Sequence, residues 1–186
     1  MGSPYLPFLS RFSNHRSKLL PLGKSNHPIL EDLHQHLGVG FFKGSLLHIL
    51  EPLIIEDLIK VLSPILRLKH KIPFGMNATG DLLLIDQIGS CIQSFDFTNN
   101  SLTQLAISLP ELLNEKLYQS NYHPFLNADL VFQLEKHCGP LTTSEIYKAK
   151  LPILLGGIKK TENYLKAPFF SFFGEMVPII LQWEKF

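Results

Sequence analysis

Eight histidines and two cysteines are the residues of this chain whose side chains could ligate a metal or attack a carbonyl. Their spacing argues against both. His34 and His36 are two apart, so on a helix they diverge by about 200° and cannot share an ion as an i, i+4 pair does. The pattern predicts solvent-facing polar positions. His137 adjoins Cys138, but neighbours on a helix point apart and thiol–imidazole pairs come from distant segments, so Cys138 reads as a buried thiol near a helix end. No glycine-rich phosphate loop, nucleophile elbow or cysteine zinc spacing occurs in the sequence. Carboxylates come in neighbouring pairs, Glu31-Asp32 and Glu56-Asp57, which the dipole near helix starts explains. Asp81 follows Gly80 in a turn, where a short acid hydrogen-bonds the backbone. Glu145 and Tyr147 share one face of an extended segment, which puts a polar tip and an amphipathic ring side by side and favours packing. Enzymatic chemistry would require the fold to gather distant groups such as His48, Asp81 and Glu145 into one cleft.

The elements that would position these residues are legible along the chain. Residues 1–26 mix Pro, Ser, His and basic residues without a period and read as an irregular N-terminal arm. Pro28 then opens a short amphipathic helix through Leu33 and Leu37 that Gly38 stops. Gly40-Phe41-Phe42, Lys43-Gly44 and Ser45 to Leu50 read as strand, turn and strand. Pro52 starts a helix with Ile55, Leu58 and Leu62 on one stripe, and Pro64 ends it or bends it at Ser63. Phe74 to Met76, Leu82 to Ile85 and Cys91 to Phe97 suggest a three-strand meander, its middle strand apolar on both faces and therefore covered on both.

Ser101 with Gln104 and Ser108 with Glu111 match reciprocal capping boxes and predict two helix starts. Asn127 caps a helix that Gly139-Pro140 ends. Gly139 to Tyr147 reads as a turn entering a strand. Leu151 to Leu155 reads as a buried apolar strand stopped by Gly156-Gly157, with Pro152 favouring an edge position or a bulge, and Thr161 to Tyr164 as a capped helix start. Phe169 to Trp183 is apolar almost all round, a buried helix distorted near Pro178, with its phenylalanines filling the core. The fold class is α+β: a single domain with a mainly antiparallel central sheet, flanking helices and a buried C-terminal helix.

Composition narrows the function classes. At 186 residues with 45% hydrophobic and 18% charged residues, the chain suits one compact core rather than disorder. A net charge of +1 gives no long-range pull toward nucleic acid or an anionic membrane. The apolar window Ala167 to Leu181 is interrupted by Gly174, Glu175 and Pro178 and is shorter than the roughly 20 residues that span a bilayer. The first residues lack the charged start and apolar run of a signal peptide, so a cytoplasmic location is expected, with both cysteines as thiols.

Three sets of residues, in order, resemble a known family. Leu37-Gly38-Val39-Gly40-Phe41-Phe42-Lys43-Gly44 with Glu51-Pro52 is similar to the N-terminal pattern of bacterial GAD-like proteins. Pro73-Phe74 and Gly80-Asp81-Leu82 resemble its second landmark. Gly139-Pro140-Leu141-Thr142-Thr143-Ser144-Glu145-Ile146-Tyr147, Leu151 to Gly157 and Thr161-Glu162-Asn163-Tyr164 resemble the C-terminal signature of the immunity partners of type VI secretion DNase effectors. Leu33 stands where the family often has tryptophan, and Thr79 where it often has an aromatic.

The resemblance implies a GAD-like part over about 27–125 and an immunity part over about 126–186. It implies a protein without cofactor or catalytic residues of its own, which binds and neutralises a cognate secreted toxin, with no nucleic acid or membrane as partner. Glu31, Asp32, Glu56, Asp57, Asp81 and Glu145 are then the acids that would meet a basic toxin surface. The rival implication is a GAD-like accessory module contacting tRNA or a translation enzyme, which a basic stripe with aromatic partners would accompany.

Overall fold

The computed structural model describes residues 3–12, 16–18, 27–87, 91–117 and 122–183. Its centre is a seven-stranded sheet of β1 (Arg16–Lys18), β2 (Val39–Phe42), β3 (Leu47–Ile49), β4 (Lys71–Asn77), β5 (Leu82–Asp86), β6 (Ile92–Asp96) and β7 (Ser101–Ala106). The strands lie in sequence order, each antiparallel to the next. Among the described residues, five α-helices accompany them: α1 (Leu6–Arg11), α2 (Glu31–His36), α3 (Pro52–Leu62), α4 (Ala128–Cys138) and α5 (Phe169–Trp183). A second sheet pairs β8 (Glu145–Ala149) with β9 (Tyr164–Pro168). This is the α+β, single-domain architecture indicated by the sequence, but the C-terminal helix is buried on one face only, along Phe169, Phe172, Phe173, Met176, Val177 and Ile180, and leaves Phe170 and Trp183 exposed rather than in the core.

Local chemistry explains most boundaries. Pro52 occupies the first turn of α3, where its missing N–H costs nothing, and Ile55, Leu58 and Leu62 bury one stripe. Gly38 follows α2 at φ +85°, a conformation that costs glycine little. Leu82, Leu83, Leu84 and Ile85 are all buried, so β5 is covered on both faces. The main core joins the sheet to α1, α2, α3 and α5. A smaller cluster packs Val131 and Leu134 of α4 and Tyr147 and Tyr164 of the second sheet against Phe41, Leu46 and Ala78. Each fully buried Leu or Phe contributes about 1.5–3 kcal/mol.

Four segments depart from the sequence reading. Ser101-Leu102-Thr103-Gln104 is the start of strand β7, not a helix, because it pairs with β6 from Ser101↔Asp96 to Ala106↔Ile92. The hairpin is closed by Asp96, whose carboxylate accepts from the N–H groups of Thr98 and Asn99 at 2.6 and 3.1 Å, and by Asn100 at φ +50°. Pairing outweighs the local cap. The second box does form: Glu111 N–H donates to Ser108 Oγ at 3.2 Å and Ile107 N–H to Glu111 Oε2 at 2.9 Å, opening a π-helical turn over Glu111–Lys116.

Residues 151–157 are an exposed loop with one 3₁₀ turn (Ile153–Leu155), not a buried strand. Pro152 withholds a ladder donor, Gly156 turns left-handed at φ +94°, and Gly157 lies so close to the Leu151 carbonyl that a Cβ would overlap it. Thr161–Asn163 is a 3₁₀ turn that delivers the chain into β9 rather than into a helix. Within the expected irregular arm, residues 6–11 are helical and residues 16–18 form a strand. Phe8 and Phe12, one helical turn apart, stack at 4.2 Å and are fully buried, and the Phe8 N–H donates to Asn114 Oδ1 at 3.3 Å. Residues 1, 2, 13–15 and 19–26 of that arm lie outside the described residues.

Candidate functional site

The turn between β4 and β5 carries a buried polar cluster. Asn77 Oδ1 accepts from the N–H groups of Thr79 and Asp81 and from Thr79 Oγ1, each at 3.0 Å. Its amide donates to the Phe125 carbonyl at 2.6 Å and to Asp81 Oδ2 at 2.9 Å. Asp81 Oδ1 accepts from the Phe97 N–H at 3.1 Å. One Asn–Asp pair therefore ties together the β4–β5 turn, the end of β6 and the approach to α4.

Next to this pair lies a cavity of about 40 Å³, lined among others by Thr79, Asp81, Thr98, Tyr147, Lys159 and Tyr164. That volume holds a few water molecules. Burial pushes the Asp81 carboxyl up to about 6, Asp96 adds to the effect, and the bonds from Asn77 and Phe97 and the charge of Lys159 oppose it. Burial also raises the Tyr164 phenol, with Asp81 adding to it. Tyr147 is buried, and its hydroxyl donates to the Gly139 carbonyl at 2.7 Å. Both Asp81 oxygens are spent on N–H donors, so the pair works as a clamp between segments.

The structure does not bring the sequence-predicted acids together as one free surface. Asp81 is buried. Asp32 accepts from the Tyr5 hydroxyl at 2.9 Å and faces His36 at 3.0 Å. Glu56 lies 3.2 Å from His27, and Asp57 accepts from Lys60 at 2.9 Å. These two acids sit beyond the first turn of α3, so their contacts with His27 and Lys60, not the helix dipole, account for them. Glu31 is in the first turn of α2, half-buried and also engaged. Glu145 accepts from the Thr142 N–H at 2.9 Å, which holds its carboxyl below the usual range, and lies 3.9 Å from Lys166.

His34, expected to face solvent, is instead buried, because α2 packs that side of its turn into the core beside Leu33. Burial pulls its ring down to about 4, against an opposing interaction with the Leu50 backbone and with a further lowering from His27. His48 of β3 stacks on Phe41 at 4.5 Å and is likewise lowered to about 4 by burial. Neither His48 nor Glu145 lines the cavity beside Asp81. Among the described residues no three His, Cys, Asp or Glu side chains gather as they would around a metal ion. Cys138 is half-buried rather than buried.

Sequence reasoning missed the surface above the cavity. The loop joining β8 to β9 folds back so that Pro152, Ile153 and Lys159 line the cavity, while Leu151, Leu155 and Ile158 remain 50–58% exposed. An apolar run reads as a buried strand. Pro152, Gly156-Gly157 and the flanking lysines were the signals of an exposed turn.

Two motif glycines, Gly44 and Gly80, lie where distant parts of the chain meet. A Cβ on Gly44 would lie 2.8 Å from Glu135 Oε1, which accepts from the Ser45 N–H at 2.8 Å. A Cβ on Gly80 would lie 2.7 Å from the Phe172 ring.

No protein-family model matches the sequence, and no curated protein matches it. The fold is similar to the crystal structure of Atu4351 from Agrobacterium tumefaciens, with a TM-score of 0.67 over 93% of this chain and 88% of that one, at 16% sequence identity. Identity that low conveys the fold alone. Among the described residues no helix is long and apolar enough to cross a membrane.

Proposed function

We propose that this chain is a cytoplasmic immunity protein that binds a cognate secreted toxin, a nuclease being the type the resemblance suggests, and blocks its active site or substrate path. What supports the reading is the ordered set of residues that resemble GAD-like and immunity landmarks, two of whose glycines sit where distant parts of the chain meet. Gly44 abuts Glu135 and Gly80 abuts Phe172, so the landmarks specify a scaffold. The conspicuous ionisable groups are spent inside that scaffold: Asp81 clamps segments, and Asp32, Glu56, Asp57 and Glu145 have partners within the chain. Function then rests on the surface, which suits obstruction of another macromolecule.

Protection requires almost no free toxin, hence a dissociation constant near nanomolar or tighter, about −12 kcal/mol. The test is growth of cells carrying the toxin encoded beside this gene. Co-expression of this chain restores growth on the proposed reading, and growth arrest unchanged by its presence rejects it.

A further inference from the structure

Five of the nine large apolar side chains exposed in the described residues fall between positions 151 and 170: Leu151, Leu155, Ile158, Leu165 and Phe170. Scattered exposed leucines need no explanation, but a cluster on one loop and the elements after it does. The loop is internally braced. The Lys150 N–H donates to the Asn163 carbonyl at 2.7 Å, the Gly156 N–H to Ile153 at 2.9 Å and the Gly157 N–H to Pro152 at 3.1 Å. The Asn163 amide donates to the Ile158 carbonyl at 3.2 Å, and Leu154 packs against the main core. Leu151, Leu155 and Ile158 are thus held outward by an ordered scaffold, and binding through them costs little further ordering.

The chain around this apolar surface carries more positive than negative charge. From Ile146 to Asn163 the sequence has Lys148, Lys150, Lys159 and Lys160 against one acid, the exposed Glu162. Lys148 pairs with Glu175, and Lys150 bonds the Glu162 carbonyl. Lys159 and Lys160 are exposed and, among the described residues, form no salt bridge.

The geometry points to this lysine-rimmed apolar loop as the anchor that holds an acidic protein surface with an apolar cleft. This inference rests on the immunity reading and gives it a contact face: the toxin presents acids to the β8–β9 loop, rather than a basic cleft to the acids of α2 and α3. A nucleic acid fits poorly, because residues 148–170 offer no arginine and a single exposed aromatic, Phe170, for bases to stack on. A lipid surface fits poorly as well, because the loop has no amphipathic helix to lay on it.

The toxin encoded beside this gene, immobilised, is the probe. Leu155→Ser/Ile158→Ser is expected to weaken binding at least ~30-fold, mostly through faster dissociation. Lys160→Glu is expected to slow association ~3-fold or more at low salt, with the difference shrinking as salt rises. Leu53→Ser, at a still more exposed site on α3, should stay within ~2-fold. Unchanged urea transitions confirm that the variants are folded. Wild-type protein that binds tightly while the loop variants bind equally tightly overturns this contact face and leaves the immunity reading standing. Wild-type protein that does not bind the toxin overturns both. Retention on phosphatidylserine–phosphatidylcholine vesicles that the double serine variant loses, with toxin affinity unchanged, assigns the loop to lipid and also overturns the inference.

Discussion

Gly80 stands where the chain has room for no side chain, and replacing it measures how tightly the two halves interlock. In Gly80→Ala the new Cβ meets Phe172 Cε1 at 2.7 Å and Ile146 Cδ1 at 3.1 Å. Phe172 cannot swing aside freely, because its ring lies edge-on to Phe97 at 5.5 Å and Phe173 at 5.3 Å. Overpacking of this kind costs about 1–3 kcal/mol. The backbone adds a second penalty: at φ +94° an L-residue costs about 1–2 kcal/mol more than glycine. Gly80→Ala should therefore lose about 2–5 kcal/mol in urea unfolding. Adding Phe172→Leu to it should recover the steric part and leave the backbone part, giving a favourable coupling in a double-mutant cycle. A loss below about 0.5 kcal/mol, or additive single and double variants, refutes the interlock.

Acid should destabilise the fold through the buried histidines His34 and His48. Their rings are lowered to about 4 in the folded state, so the unfolded chain takes up more protons once pH falls below about 6.5. The stability each neutral ring confers is present above pH 6.5 and lost toward pH 4, about 3 kcal/mol per histidine. Asp81 works in the opposite sense: raised to about 6, its protonation favours the folded state as pH falls from 6 toward its ordinary range, offsetting about 3 kcal/mol. The net outcome is loss, read as a falling urea midpoint between pH 7 and 4.5, and His48→Leu should flatten that slope; a midpoint independent of pH contradicts the burial. Tyr147→Phe removes the bond to the Gly139 carbonyl and should cost about 1–2 kcal/mol in thermal or urea unfolding, with no loss meaning that the turn is held by other bonds.

Much of the fold could be read from local signals because those signals act locally. Pro52 and the stripe Ile55, Leu58, Leu62 mark α3, and Gly38 closes α2. The Ser108–Glu111 box forms as expected, whereas Ser101–Gln104 does not, because β6 offers its backbone to that segment and a cap has no way of encoding it. Helix α1 was illegible for a similar reason. Phe8 and Phe12 gain their meaning from Phe42 and Asn114, far along the chain. At the candidate site, the acids could be seen as acids but not as already paired. The apolar loop was read as core, since hydrophobicity alone does not tell an exposed anchor from a buried strand.

The central claim, silencing of another protein by obstruction, is tested most directly by titrating the neighbouring gene's toxin with this chain while following the toxin's own catalytic activity. The account predicts a linear fall to zero activity at one equivalent, with a sharp end point. Full activity in the presence of several equivalents would contradict it.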